Sequence, residues 1–248
     1  MNDGPTGHEF AQWLTRVERN RSHPNQRWRD AATLILVDRT EATPKVLLGR
    51  RHAGHKFLPG RFVFPGGRVE RNDRGAPLAT ALQPEVEAQL MRRVRNPSPA
   101  KSRAFAVAAI RETFEETGLL IGAKQPGPAT PGGRATIFEE AGVYPDLASM
   151  HFIARAITPP GRPRRYDTRF FAADAQAVAH RVEGVVGPDA ELVELIWLPI
   201  TEVEQLEMST ITKVALRELE ARTAAGFGHD LPVPFYRMLH RRFVREML

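Results

Sequence analysis

Apolar and polar positions along this chain change period several times, and each change marks an element. AATLILVD (Ala31–Asp38) is a β-branched apolar run and KVLLGRR (Lys45–Arg51) a second. The polar loop RTEATP joins them, so the two predict paired strands. FLPGRFVFPGGRVE reads as a Pro-Gly turn at Pro59–Gly60, a strand over Phe62–Phe64 and a further turn at Pro65–Gly67. Upstream, residues 1–29 are polar with Trp13 and Trp28 as the main apolar anchors, and a helix is expected over Glu9–Glu18. Residues 74–103 are rich in Ala, Pro, Gln and Arg, with a helix expected over Pro84–Val94 and a Pro-rich exit, NPSPAKS.

Helical spacing recovers in AFAVAAIRETFEETG. Ala104, Val107, Ala108 and Phe114 can share an inward face, the glutamates lie elsewhere, and Gly118 sits where a helix stop belongs. Gln125–Arg134 is expected as a loop, and IFEEAG is ambiguous. HFIARAIT, YDTRFFAA and ELVELIWLPI predict strands, and ITKVALRELEARTAAG predicts a helix. The segment 201–248 is expected to be helical, with the basic tail FYRMLHRRFVREML as a packing or homodimer element. Strands and helices alternate without a regular βαβ count, which points to an α/β fold with a mixed sheet.

Composition narrows this picture. At 248 residues with 42% hydrophobic content, the chain can build a real core. The absence of cysteine excludes a disulfide framework and any thiolate metal or redox site. The opening MNDGPTGHEF has no basic-then-apolar leader pattern and no apolar run approaches a membrane span, so the expectation is a soluble, cytoplasmic protein. A formal charge of +6 favours an anionic partner. No segment interleaves Lys or Arg with aromatics as a base-stacking surface would, which favours a small molecule over nucleic acid. The eight histidines lack metal-ligand spacing.

One stretch asks for more than solvation. RETFEETG places Glu112, Glu115 and Glu116 within about one helical turn, where like charges repel by a few tenths of a kcal/mol per pair. On its own, such a cluster reads as a solvated helix face. PGGRVERND changes that reading, because two glycines at a strand end let backbone approach a ligand closely. Together the two stretches resemble the Nudix box, G-x5-E-x7-R-E-U-x-E-E-x-G-U, in which U is aliphatic. Gly67 takes the first glycine, and Arg111, Glu112, Glu115, Glu116, Gly118 and Leu119 match the second half. Asp73 stands where the family has Glu, Thr113 stands at an aliphatic position, and residues 74–103 interrupt the box. LLGRRHAGHKFLPGRFVFPGG, the insertion and RRYDTRFF resemble the peroxisomal coenzyme A diphosphatase subgroup.

The resemblance implies a Nudix α/β/α sandwich over residues 30–200, preceded by an N-terminal extension (1–29) and followed by C-terminal helices (201–248). It implies hydrolysis of a nucleoside diphosphate linked to another moiety, such as coenzyme A. The alternatives are an ADP-ribose or dinucleotide pyrophosphatase, or a non-catalytic nucleotide- or RNA-binding module. Mg²⁺ or Mn²⁺ would be held by Glu112, Glu115, Glu116 and the Gly66 carbonyl, since hard cations take oxygen ligands. Arg111 would orient a carboxylate, and the general base is either a box glutamate or Glu191, with Glu194 second. Arg50, Arg51, Gly67 and Tyr166 are the substrate-contact candidates. The five cations Arg92, Arg93, Arg95, Lys101 and Arg103 suggest that the insertion covers the site and meets an extra phosphate.

Overall fold

A computed structural model describes residues 7–17, 22–55, 58–124 and 137–248. The loop expected over 125–134 lies outside the described residues. The elements in order are α1 (Gly7–Val17), β1 (Arg29–Asp38), β2 (Lys45–Arg51), β3 (Phe62–Val63), β4 (Gly66–Arg68), α2 (Pro84–Met91) and α3 (Pro99–Thr117). There follow β5 (Leu119–Ile121), α4 (Ile137–Ala141), β6 (His151–Ile157), β7 (Tyr166–Asp174), β8 (Val178–Arg181), β9 (Leu192–Pro199), α5 (Thr210–Ala224), β10 (Pro234–Leu239) and β11 (Arg242–Met247).

The main sheet is mixed. Its path runs β11-β10-β6-β7-β1-β2-β3, with β4 also paired to β1 and β9 to β2, while β5 and β8 form a separate small ribbon. β1 lies parallel to β7 and β10 parallel to β6; the other pairings are antiparallel. β1 shows why its run is apolar throughout. Ala32, Leu34 and Leu36 pack with α3, whereas Ile35 and Val37 pack with α1 and α5, so helices cover both faces of the strand. The α/β sandwich with a mixed sheet is the expected fold class.

β1 and β2 pair only at Val37↔Val46 and Asp38↔Lys45. Beyond that point the strands diverge, and β4 takes the vacated edge of β1 through Ala31↔Arg68, Ala32↔Gly67 and Thr33↔Gly66. This split carries the Gly-Gly turn onto the sheet beside α3. α3 is fixed at both ends: the Ser98 hydroxyl accepts the Lys101 N–H at 3.2 Å, Pro99 opens the first turn, and Gly118 closes it in the left-handed region at φ 74°. A Cβ on Gly118 would lie 2.2 Å from the Val182 carbonyl oxygen, so only glycine fits there.

Two expectations need correction. The segment 201–248 is not helical throughout: after α5 it forms the β10–β11 hairpin, which extends the main sheet. Phe235, Tyr236 and Phe243 are buried in it, and β10 joins the sheet through β6. The insertion is built into the core, and none of residues 74–103 is among those lining the cleft described below. Leu82, Val86 and Leu90 enter the same core as Phe105 and Leu147, and the Arg155 guanidinium donates to the Arg92 and Arg93 carbonyls at 3.2 Å. Burying such side chains stabilises by about 1.5–3 kcal/mol each, so the insertion is part of the core. Among the described residues, no helix is long and apolar enough to cross a membrane.

Candidate active site

The Gly-Gly turn and the carboxylate helix meet at closest-packing distance. A Cβ built on Gly67 would lie 2.3 Å from the Glu112 carboxyl carbon, and one on Gly66 would lie 2.5 Å from the Ala32 carbonyl oxygen. Both glycines therefore permit an approach that any side chain would block. The Gly66 N–H donates to Glu116 Oε2 at 3.2 Å, tying the turn to the last turn of α3.

Arg111 is the hub of the turn–helix contact. Its Nε and Nη2 donate to the two oxygens of Asp73 at 2.9 and 3.3 Å, its Nη1 to Glu112 Oε1 at 3.0 Å and Glu115 Oε2 at 2.9 Å, and its Nη2 to the Arg68 carbonyl at 2.9 Å. Asp73 is buried and also accepts the Glu70 N–H at 2.7 Å. The shorter acid is thus long enough to reach Arg111 across the interruption. Burial would lower the Arg111 pKa, but the hydrogen bond and charge of Asp73, with Glu112 and Glu115, outweigh it and hold the group above its ordinary range. Arg111 is positively charged throughout and positions the acids around it.

The three glutamates are not equivalent. Glu115 is half-exposed and paired with Arg111. Burial raises the pKa of Glu112 above the ordinary value, with Arg111 opposing. Glu116 is buried rather than facing solvent, and burial followed by the Glu191 charge pushes its pKa up to about 8. The Arg51 charge opposes that rise without overcoming it. Glu191, on the strand side of the site, lies 3.0 Å from Arg51 Nη2 and 3.6 Å from His55 Nε2.

A cleft of about 1000 Å³ collects these groups. Of the sequence candidates, Gly66, Gly67, Glu112, Glu116, Glu191, Arg51 and Tyr166 line it. Arg50 does not: successive strand residues alternate, and Arg50 turns to the opposite side to pair with Glu194 at 2.7 Å. Glu194 is thereby engaged away from the cleft as well. Sequence reading missed Arg61, Arg68, Arg162 and Arg164, which also line the cleft. The only signal for them was positive charge in turn segments, which does not reveal direction.

Thr113 fills its nominally aliphatic position without strain, because it is fully buried and its hydroxyl donates to the Ala109 carbonyl at 2.7 Å. Among the described residues, no group of three or more His, Asp or Glu side chains is placed to hold a metal ion. The donor set nevertheless suits a hard divalent cation. Glu112 and Glu116 supply only oxygen, the Glu112 charge adds to the cost of charging Glu116, and Mg²⁺ binds through one or two carboxylates while keeping its waters.

Residues 28–137, which contain the whole interrupted box, match the family model of the NUDT19 Nudix domain. Over that span the chain is similar to the Nudix superfamily. The acyl-coenzyme A diphosphatase NUDT19 of Gallus gallus is 28% identical over 206 residues, covering 58% of this chain and 54% of that protein. The Homo sapiens protein of the same name is 27% identical over 298 residues, covering 83% and 79% respectively. A crystal structure of a Nudix hydrolase from Alicyclobacillus acidocaldarius superposes with a TM-score of 0.55 at 27% identity, covering 79% of this chain and 92% of that one. The chain spans 54%, 43% and 35% of the length of three of its curated relatives. Tyr166 and Glu191 lie beyond the span of the family model.

Proposed function

We propose that this chain is a divalent-metal-dependent pyrophosphohydrolase acting on a nucleoside diphosphate linked to another moiety. Its substrate class is coenzyme A or acyl-CoA, cleaved to 3′,5′-ADP and the 4′-phosphopantetheine half. The observation that carries the reading is the convergence of Glu112 and Glu116 on the Gly66–Gly67 turn, with Arg111 and Asp73 bracing them, at a cleft also lined by Arg51 and Tyr166. The diphosphatase names of the relatives support the substrate class.

Glu112, Glu116 and the Gly66 carbonyl would hold Mg²⁺ or Mn²⁺, with Glu115 beside them. Such a cation, when bound, neutralises the diphosphate and acidifies water. Glu191 is the general base in this reading: it faces Glu116 electrostatically, yet it is anchored by Arg51 and His55 rather than by the helix. A proton leaving the attacking water passes to a Glu191 carboxylate oxygen as the new P–O bond forms and the anhydride P–O bond breaks. Arg51 orients Glu191 and adds positive charge beside the phosphates. The Tyr166 ring offers a flat apolar surface to the base or the pantetheine arm.

The test is a substrate panel of CoA, acetyl-CoA, ADP-ribose and a dinucleotide, assayed with Mg²⁺ and with Mn²⁺. CoA or acetyl-CoA should show the highest kcat/KM, and Glu116→Gln should lower it at least ~100-fold, the scale of a lost electrostatic contact to the transition state. Preferred hydrolysis of ADP-ribose would move the assignment to that substrate. Unimpaired turnover by Glu116→Gln would remove the metal-ligand role.

A further inference from the structure

The cleft extends beyond the groups just described, to the turn that joins β6 and β7. That turn, TPPGRPRRY (Thr158–Tyr166), contains three arginines, three prolines and no acid. Its closure is defined: the Thr158 N–H donates to the Tyr166 carbonyl at 2.9 Å and the Tyr166 N–H to the Thr158 hydroxyl at 3.1 Å. Arg165 staples its outer side. The Arg165 guanidinium donates to the Thr158 carbonyl at 3.1 Å, the Asn25 carboxamide at 2.7 Å and the Gln26 carbonyl at 2.6 Å, and it covers the Trp28 ring. Arg162 and Arg164 instead line the cleft. Among the described residues no carboxylate forms an ion pair with Arg164. The acids lining the cleft, Glu70, Glu112, Glu116, Glu191 and Glu207, all belong to other segments.

We propose that Arg162 and Arg164 form a second anion subsite, which receives a phosphomonoester carried by the substrate in addition to its diphosphate. This rests on the diphosphatase reading above and deepens it, since CoA carries a 3′-phosphate that dephospho-CoA and ADP-ribose lack. Geometry supports the separation of the two subsites. β4, β1 and β7 are adjacent, with Gly66 opposite Thr33 and Thr33 opposite Phe170. β7, the strand that begins at the end of the arginine turn, therefore lies two strand spacings, roughly 10 Å, to the side of the glycine turn, and its first residue, Tyr166, stands four residues, roughly 13 Å, further along than Phe170. An arginine side chain spans part of that gap, leaving room for a ribose between two phosphate groups. Proline restricts the backbone before binding, so less ordering accompanies ligand capture. Guanidinium also matches phosphate bidentately, which a lysine would not.

Two measurements test the subsite, and only one depends on catalysis. In calorimetry without metal, the wild-type protein should bind 3′,5′-ADP ~10–100-fold more tightly than 5′-AMP, the factor for a hydrogen-bonded charge. Arg164→Gln and Arg162→Gln should each reduce that preference by ~10-fold or more, and Arg164→Lys should retain part of it. In kinetics, the ratio of kcat/KM for CoA to that for dephospho-CoA should fall at least ~10-fold in Arg164→Gln. Arg164 is exposed, so its variants should unfold within about 0.5 kcal/mol of wild type. Equal affinity of the wild type for 3′,5′-ADP and 5′-AMP overturns the subsite. An unchanged preference in both glutamine variants overturns its assignment to this turn. Absence of CoA hydrolysis together with a retained 3′,5′-ADP preference overturns the substrate reading and leaves the subsite standing.

Discussion

Asp73→Asn is the most exacting test of the site's architecture, because it removes one negative charge and almost no volume. The Asp73 and Arg111 side chains are only 2% and 12% exposed, and the guanidinium spans both carboxylate oxygens. Breaking a buried pair by neutralising one partner costs roughly 3–5 kcal/mol. Two features lower that figure here: asparagine still accepts one N–H, and Arg111 keeps Glu112 and Glu115. The expected destabilisation is about 2–3 kcal/mol, which for a domain of this size lowers Tm by about 4–12 °C. Urea titrations in EDTA at fixed m-value measure it directly. Combining Asp73→Asn with Arg111→Gln should give a coupling energy above ~1 kcal/mol, since both changes remove the same contact. Turnover should fall by ~10-fold or more, because Glu112 loses part of its orientation. A variant within ~0.5 kcal/mol of wild type, or a strictly additive cycle, would refute the bracing role of Asp73.

Three further outcomes follow from the same geometry. Glu116 has a folded-state pKa of about 8 against an ordinary 4.5, so its neutral form favours folding. In EDTA that contribution is complete below about 4.5 and is lost as pH rises through 8, and Glu116→Gln should flatten the decline of Tm between pH 5 and 9. Gly67→Ala places a Cβ against the Glu112 carboxylate and should weaken Mn²⁺ binding by ~10-fold or more in calorimetry, while Gly75→Ala, with open space around it, should not. His151, stacked on His229 at 3.9 Å, is held down to a pKa of about 3 by burial and by the nearby charges of His229, Arg222 and Arg39. Its stabilising contribution is present above pH 6.5 and lost as pH falls toward 3, so His151→Phe should shallow the acid limb of urea midpoints, with His229 leaving a residual slope.

Periodicity located elements well where local pattern and burial agree. β2 occupies Lys45–Arg51 as its apolar run predicts, and α3 stops at Gly118, where the left-handed cap demands glycine. The β10–β11 hairpin escaped because its turn uses His240 and Arg241 at φ 45° and 66°, with neither Gly nor Asn to mark the reversal. Within it arginines stand among buried aromatics, and Arg237 and Arg245 pair with Glu246 and Glu218 instead of with solvent alone. The box residues were legible as a set, but the burial of Glu116 was not. Helical spacing gives a face, whereas burial depends on the β4 turn closing over that face. The same limit applies to the arginine turn: sequence shows three cations, and only the fold separates the stapling Arg165 from the cleft-lining pair.

The interruption of the box shows how little a site depends on contiguity. Asp73 and Arg111 are 38 positions apart yet hydrogen-bonded at 2.9 Å. In the uninterrupted pattern the corresponding residues are about eight apart. Loop-closure entropy grows as (3/2)RT ln n, so lengthening the closed segment from about eight to about 38 residues costs only ~1.4 kcal/mol. That is less than the burial of Val86 or Leu90 alone returns at about 1.5–3 kcal/mol each. The insertion therefore stabilises itself by joining the core under α3, and the segments that flank it are held together by the Asp73–Arg111 ion pair. Replacing it with a flexible linker would spare the entropy of closure but remove Leu82, Val86 and Leu90 from the core they share with Phe105 and Leu147. The expected result is a loss of stability with the site chemistry failing as a consequence, measurable as a lower urea midpoint. A linker variant with wild-type stability would show that α2 is dispensable to the core.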